Sequence, residues 1–287
     1  MRLLFAGLAT VDLVQRVQRL PGADEKVQSE SVEVAAGGPA ANAAVTAAAL
    51  GAAVTLVSAV GAHPLGDLVR ADLAAHGVTL LDAAPDSPEP PPVSAVTVLA
   101  TTGERTIVSR NAGNRVVAPV SLPEADLTLV DGHHPALAVA AARSARRLLV
   151  DAGSWRPVFA EIFPHAEVVA CSGDFRHPAA APAAGDATTG TPVADAATAS
   201  AVTAPYVVIT HGPAPVRWFG PATSGEVPVP RVAAVDTAGA GDAFHGALAV
   251  ALARGDRDLP AAITYATRIA AVRVQHAGPR AWLAHLP

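Results

Sequence analysis

The sequence predicts an α/β fold: a mostly parallel sheet with helices on both faces and a small β insert beside it. Three observations carry this. Short runs rich in Val, Ile and Leu alternate with alanine-rich segments of helical character. The runs are apolar throughout, as strands covered on both faces are. Two other stretches break the rhythm with period-two alternation, the mark of strands with one solvated face.

Residues 3–7 read as a strand that runs into a glycine turn. Residues 12–35 alternate, as in Val27, Ser29, Ser31 and Glu33. Residues 39–50 read as a helix, with Pro39 suited to its first turn. A strand over 53–60 and a helix over 67–76 follow. Residues 85–92 are proline-rich and form a stiff connection. In 93–110, Val96 and Val98, then Thr106 to Val108, flank a hairpin turn at Thr101-Thr102-Gly103-Glu104. Residues 127–131 and 148–151 read as strands around a helix over 136–146. Two more short strands fall at 168–171 and 206–210. Residues 178–205 have almost no large apolar side chain and read as weakly ordered surface with a short helix near 193–201. Helices over 242–254 and 259–275 close the chain. We expect one domain spanning 1–287, with stretches 12–35 and 93–110 joined as a small sheet over a pocket, a lid.

At 287 residues the chain can bury a core of its own. About half is apolar (51%), but much of that is alanine, which points to helix surface and tight packing more than bulky core. The net charge of −5 gives no basic footprint for nucleic acid. The single cysteine, Cys171, excludes an internal disulfide framework and fits a reducing compartment. The first residues lack the long apolar core and cleavage site of a signal peptide. The apolar run 35–60 is broken by Gly37, Gly38, Pro39, Asn42 and Gly51, and no stretch is long enough to span a bilayer. The expectation is a cytoplasmic protein. Lys26 is the only lysine among otherwise arginine-borne positive charges.

The most informative run is Asp236-Thr237-Ala238-Gly239-Ala240-Gly241-Asp242. It leads from a strand through two glycines into a helix. The first amides of a helix have no internal partner, and the helix dipole there is positive. Ala238, Gly239, Ala240 and Gly241 therefore offer N–H groups to an anion, with the Asp242 carboxylate beside them. Phosphoryl transfer needs this pairing: donors for the charge on the transferred group, and a base for the attacking hydroxyl. The dipole should keep Asp242 ionised. Taken alone, the run reads equally well as a glycine turn whose aspartate caps a helix.

A second constellation is Gly37-Gly38-Pro39-Ala40-Ala41-Asn42, where two glycines permit close backbone approach and Asn42 faces the same space one turn on. Donors and acceptors together suit sugar hydroxyls. Asp12, shortly after the first strand, can accept from two hydroxyls of a polyol. Adjacent His133 and His134 do not converge on one ion and have no evident third ligand, so no metal site is expected.

Together these residues resemble the ribokinase-like, or PfkB, family of carbohydrate kinases. The resemblance runs over essentially the whole chain. It implies a three-layer α/β/α sandwich with a β-sheet lid that often pairs between two subunits, hence a homodimer. It implies ATP as phosphoryl donor to a primary hydroxyl of a small sugar, a ketose or related, with Mg²⁺ and, as an accessory, a monovalent cation; a nucleoside kinase on the same fold and a non-catalytic sugar-binding protein with a decayed site are the alternatives. Asp242 would be the base, Ala238 to Gly241 the anion hole, and Asp12, Gly38 and Asn42 sugar contacts. Thr210, Gly212 and Gly278 would lie near the nucleotide. Within the family, Gly103-Glu104-Arg105 and Phe244-His245-Gly246 look like ketohexokinases and bacterial sulfofructose kinases. Lys26 falls where the latter carry a substrate-facing lysine, Arg105 would reach an anionic group, and Asp131 would be a further sugar contact. The sequence departs from the family at His133, where sulfofructose kinases carry an arginine. It departs again at Ser172-Gly173-Asp174-Phe175, in place of Asn-x-x-Glu, and at Pro215, in place of a glycine.

Overall fold

The computed structural model describes residues 1–113, 115, 117–180, 191–255 and 258–287. The chain opens with β1 (Arg2–Ala6), β2 (Thr10–Val17) and β3 (Ser31–Gly37), then α1 (Pro39–Ala49), β4 (Ala53–Ser58), α2 (Pro64–Ala75) and β5 (Val78–Asp82). β6 (Val93–Leu99) and β7 (Arg105–Ser109) form the expected hairpin. Next come β8 (Leu127–Val130), α3 (Pro135–Ser144), β9 (Leu148–Ala152), the one-turn α4 (Phe159–Ile162) and β10 (Val168–Ser172). α5 (Pro192–Ala201), β11 (Tyr206–His211), β12 (Ala214–Phe219) and β13 (Ser224–Val227) lead to α6 (Ala240–Ala253) and α7 (Leu259–Val274).

Among the described residues, the large sheet has nine strands in the order β13-β12-β11-β10-β9-β8-β1-β4-β5. Neighbours from β11 to β5 are parallel, and β12 and β13 are antiparallel. Each strand sends alternate side chains to opposite faces. Leu3 and Phe5 join a core with α1, α6 and α7; Leu4 and Ala6 join a second core with α3 and α4. Two cores, one per face, make three layers and explain why the strands read as unbroken apolar runs. From β1 the strand order runs outward in both directions, so β1 and β8 form the switch point where open α/β sheets bind ligands at their carboxyl ends. The second sheet, in the order β3-β2-β6-β7, stands apart from the first.

The differences from expectation have local causes. β5, β12 and β13 were not expected: β5 is a five-residue run directly behind Gly77, β12 contains Pro215, and β13 carries a single large apolar residue, Val227. α2 begins three residues early because His63 caps it, its ring accepting from Leu65 N at 3.1 Å, with Pro64 in the first turn. Within 12–35, the alternation at Val27 and Ser29 forms no strand; pairing starts at Ser31. In 178–205 the short helix is present as α5, while 181–190 lie outside the described residues. No described helix is long and apolar enough to cross a membrane.

The alanines turn out to be core. In α1, Ala40, Ala41, Ala43, Ala44 and Ala47 are fully buried, and in α6 so are Ala247 and Ala249. Small side chains let these two helices touch almost backbone to backbone. At Gly246 of α6 an added Cβ would overlap Ala43 O and lie 2.8 Å from Thr46 Cβ. This approach sets where α6 begins relative to α1, and so where Asp242 lies relative to Asn42. We predict that Gly246→Ala forces the helices apart and destabilises the fold by about 1–3 kcal/mol, the usual cost of overpacking. Urea unfolding of the two proteins checks it.

Candidate active site

A cavity of about 280 Å³ lies between the carboxyl ends of the central strands and the small sheet. Its floor includes Gly38, Asn42, Gly239, Gly241 and Asp242; its roof includes Asp12, Val14, Ser94, Val96, Arg105, Ile107 and Ser109. The roof residues share one face because β2, β6 and β7 present every second side chain inward, with Asp12 opposite Ser94 and Ser94 opposite Ser109.

Asp242 sits in the first turn of α6 and opens onto the cavity. Its Oδ2 accepts from Asn42 Nδ2 at 2.8 Å. Burial, chiefly, raises its pKa to about 6; Asp151 and, more weakly, Asp12 push the same way, while Asn42 and His245 oppose them. The raised pKa makes Asp242 more basic than an ordinary carboxylate, and more so than its place at a helix N-terminus implies. At neutral pH the group is still mostly ionised, with the basicity a proton acceptor requires.

The amides divide. Gly239 takes a left-handed φ of 69° at the helix N-cap, which turns the chain so that the following N–H groups face outward. The N–H groups of Gly239, Gly241 and Asp242 meet no acceptor among the described residues. Ala240 N has only a long contact, 3.4 Å, to Thr237 O. Ala238 leaves the predicted set, because its N–H donates to Asp236 Oδ1 at 2.9 Å. Asp236 is itself buried, with Oδ2 accepting from Arg273 Nη2 at 3.2 Å and Gly278 N at 3.1 Å. Gly278 therefore gives its amide to the fold rather than to a nucleotide.

Asp12 reaches the cavity from β2 through a gap left by Gly37, whose missing Cβ makes room for the carboxylate. It accepts from Thr10 Oγ1 at 2.6 Å, and burial raises its pKa despite that bond, the Ser94 hydroxyl and the charge of Arg280. Gly38 lines the cavity at a φ of 92°, and a Cβ there would strike Leu8 O. Arg105 lines the rim, donating from Nη1 to Thr237 O at 3.2 Å. Beside it, Gly103 O accepts from Thr237 N at 3.1 Å and from Thr237 Oγ1 at 3.0 Å, and Arg16 Nη1 donates to Val235 O at 3.2 Å. The small sheet is thus fastened to the segment that leads into α6.

Two predicted substrate contacts lie elsewhere. Lys26 is exposed and is not part of the cavity wall. Asp131 is buried behind the wall. Its carboxylate accepts from Leu8 N at 2.8 Å, Ala40 N at 3.3 Å and His133 N at 3.0 Å, tying the switch-point loop to α1. Burial opposes its ionisation, but the His133 ring and these donors outweigh that and hold it below the usual carboxylate range. His133 also meets Arg156 Nη2 at 2.6 Å through Nε2. Thr210 and Gly212, at the exit of β11, do not line the cavity either.

Sequence reasoning missed Arg280, Asp72 and Trp282. Arg280 donates from Nη1 to Asn42 Oδ1 at 3.2 Å and from Nη2 to Asp72 Oδ2 at 2.8 Å. The Arg280 guanidinium thereby supplies the donor for Asn42's carbonyl oxygen, and the amide NH₂ is left facing Asp242. No local pattern signals this, because the partners lie on α1, α2 and the C-terminal segment. Ser94 was within reach: it follows from the period-two reading of 93–110.

The whole chain has known relatives. It matches the pfkB family carbohydrate kinase profile over residues 2–285. It is 30% identical to the ribokinase of Bacillus subtilis over 285 residues, covering 93% of this chain and 91% of that one. It is also 30% identical to the ATP-dependent ribose-1-phosphate kinase of Halopiger xanaduensis, covering 97% and 94%. In three dimensions it superposes on the Arabidopsis thaliana ribokinase complexed with ribose and ATP with a TM-score of 0.78, at 22% identity and 96% and 93% coverage. With its fold, its cavity at the switch point and these full-length matches, the chain belongs to the pfkB family of carbohydrate kinases and is an ATP-dependent sugar kinase.

Proposed function

We propose that this kinase phosphorylates the primary hydroxyl of a small free sugar, a ketose or a ribose-like pentose, with Asp242 as base. The observation that carries the reading is the Asp242 carboxylate on the cavity floor beside the unpartnered amides of Gly239 and Gly241. The sugar lies under the small sheet, which serves as a lid. Asp12 and Ser94 receive its hydroxyls, and Val14, Val96 and Ile107 cover its C–H surface. The sugar hydroxyl attacks the γ-phosphorus, the bond to the β,γ-bridging oxygen breaks, ADP leaves and the proton passes to Asp242. The amides of Gly239 and Gly241 face the charge on the transferred group. Arg105, anchored to Thr237, closes the same rim.

At about 280 Å³ the cavity suits a monosaccharide but not a monosaccharide and a nucleotide together. ATP would therefore lie outside it, along the carboxyl edge toward Thr210 and Gly212. Ser172 Oγ there donates to Gly153 O at 2.7 Å, and Asp174 is exposed. No three His, Cys, Asp or Glu side chains converge among the described residues. Mg²⁺ would come with the nucleotide's own phosphates, where the ion neutralises their charge. A nucleoside acceptor fits less well. Trp282 is the one aromatic residue in the described cavity wall; it is 3% exposed, and its indole N–H donates to Pro279 O, so no open ring awaits a base. Use of ATP and the buried free thiol of Cys171 agree with a cytoplasmic setting.

The outer face of the small sheet carries Val32, Val34, Val93 and Val108, which are 55%, 49%, 42% and 73% exposed. We read it as the seam of a homodimer, since an apolar sheet face left in water invites pairing.

Three outcomes test this reading. Asp242→Asn keeps sugar and ATP binding but lowers kcat by about 10³-fold or more, because base and alignment are lost together; ADP release and calorimetric titration measure the two, and unchanged turnover would sink the assignment. Because the ionised form of Asp242 is lost as pH falls through about 6, kcat should drop tenfold per unit below that pH and level off above it. Val108→Glu places a charge in the seam and should shift the protein to monomer in sedimentation velocity without unfolding it.

A further inference from the structure

One buried titratable pair has no part in the reaction so far. His245 follows Asp242 by one turn of α6 and lies beneath it, with both ring nitrogens shut off from solvent. Nδ1 stands 3.0 Å from Asp151 Oδ2, and both side chains are 7% exposed. The contact is out of line for a hydrogen bond and becomes an ion pair only when the ring is protonated, and Nε2 has no hydrogen-bond partner among the described residues. Asp151 rises from the end of β9, and among the described residues no other ion pair or hydrogen bond reaches its carboxylate. Two carboxylates, Asp151 and Asp242, therefore share a poorly hydrated space with one imidazole. Two like charges in such a space cannot both stay ionised without a cation.

Resting on the reading of Asp242 as the base, we propose that His245 is an imidazolium paired with Asp151 one turn along α6 from Asp242, a positioning residue whose charge keeps Asp242 ionised. It thereby sets the pH at which Asp242 becomes able to accept the substrate's proton. Burial lowers the basicity of His245, but Asp151 first and Asp242 second outweigh it and raise its pKa above the ordinary histidine value. The other groups around the pair are accounted for. α1 contributes Asn42, which donates to Asp242, and β2 contributes Asp12, whose charge opposes ionisation of Asp242. On α7, Arg273 is engaged by Asp236; beyond β8, Asp131 is engaged by His133. Cys171 on β10 neighbours Asp151 and stays a thiol, since burial pushes its pKa far up.

The test separates a charge from a mere filler. His245→Asn removes the cation, so one proton must enter the Asp151–Asp242 pair near neutrality. The acid limb of the kcat–pH profile should then move up by at least one unit, about fivefold less activity at pH 6 and about tenfold less at pH 5. Adding Asp151→Asn removes the surplus negative charge, and the double variant's limb should return toward wild type. A limb that stays in place in folded His245→Asn, or a double variant no nearer wild type than the single, overturns the proposal. A packing role would lower activity equally at every pH. Should His245→Asn fail to fold, the wild-type protein decides. Carbon-13 NMR of labelled histidine, with His245 assigned through Asp151→Asn, should show that ring protonated to a pH above ~6.5, the usual histidine midpoint. A ring that is neutral at that pH overturns the proposal. The NMR readout needs no turnover, so a charged His245 in a chain without kinase activity would count against the proposed function and not against this pair.

Discussion

Asn42 and Asp242 are separated by 200 residues of chain and joined by one 2.8 Å hydrogen bond. The site depends on it. It exists because α1 and α6 meet through alanines and Gly246, so that the start of one helix faces the start of the other. It keeps its direction because Arg280 donates to Asn42 Oδ1, which leaves only the NH₂ group for Asp242. Arg280 in turn is gripped by Asp72 and by Ala36 O at 2.6 Å. A chain of charge-assisted bonds thus runs from α2 through the C-terminal segment and α1 to the Asp242 carboxylate. Such networks are rigid only when each member is satisfied, and each link here has its partner.

The same logic divides the aspartates by task. Asp131 and Asp236 are buried to 2% and surrounded by donors, so they hold loops in place. Asp12 and Asp242 open onto the cavity and carry raised pKa values, because burial there is not matched by enough donors. Under-satisfaction is what makes a carboxylate available to a substrate hydroxyl. Residue type alone cannot separate the two groups. Asp131 looked like a sugar contact from its place after a strand, yet three amides and a histidine claim it.

Much of the fold was legible because its causes are local. Apolar runs gave the parallel strands, Pro39 and Gly239 marked helix starts, and the Thr101–Glu104 turn gave the hairpin. Strands β12 and β13 were hidden because edge pairing needs little apolar content: β13 holds Ser224 to Val227 against β12 with one large apolar side chain. Of the site, the Gly239-Ala240-Gly241-Asp242 run and Asn42 were readable as backbone chemistry. Ala238 was misread because its amide partner, Asp236, is two residues away and competes with any ligand for the same N–H. Arg280, Asp72 and the His245–Asp151 pair were unreadable, since each joins elements that only the packed fold brings together.

Two of the three departures from the family pattern fall on one side of this structure: Ser172, Asp174 and Pro215 lie on β10 to β12 or at their exits, away from the switch point at β1 and β8. The third, His133, follows β8 and pairs with Asp131 behind the cavity wall. Asp12, Gly38, Asn42 and Asp242, by contrast, gather around a single cavity near that switch point. On the proposed reading, a nucleotide held mainly by backbone along that edge tolerates exchange of side chains, because amides supply the contacts whatever the residue. On the same reading a sugar under the small sheet has less latitude: each hydroxyl must find a donor or acceptor, and an unmatched polar group in a closed cavity costs about 1–3 kcal/mol.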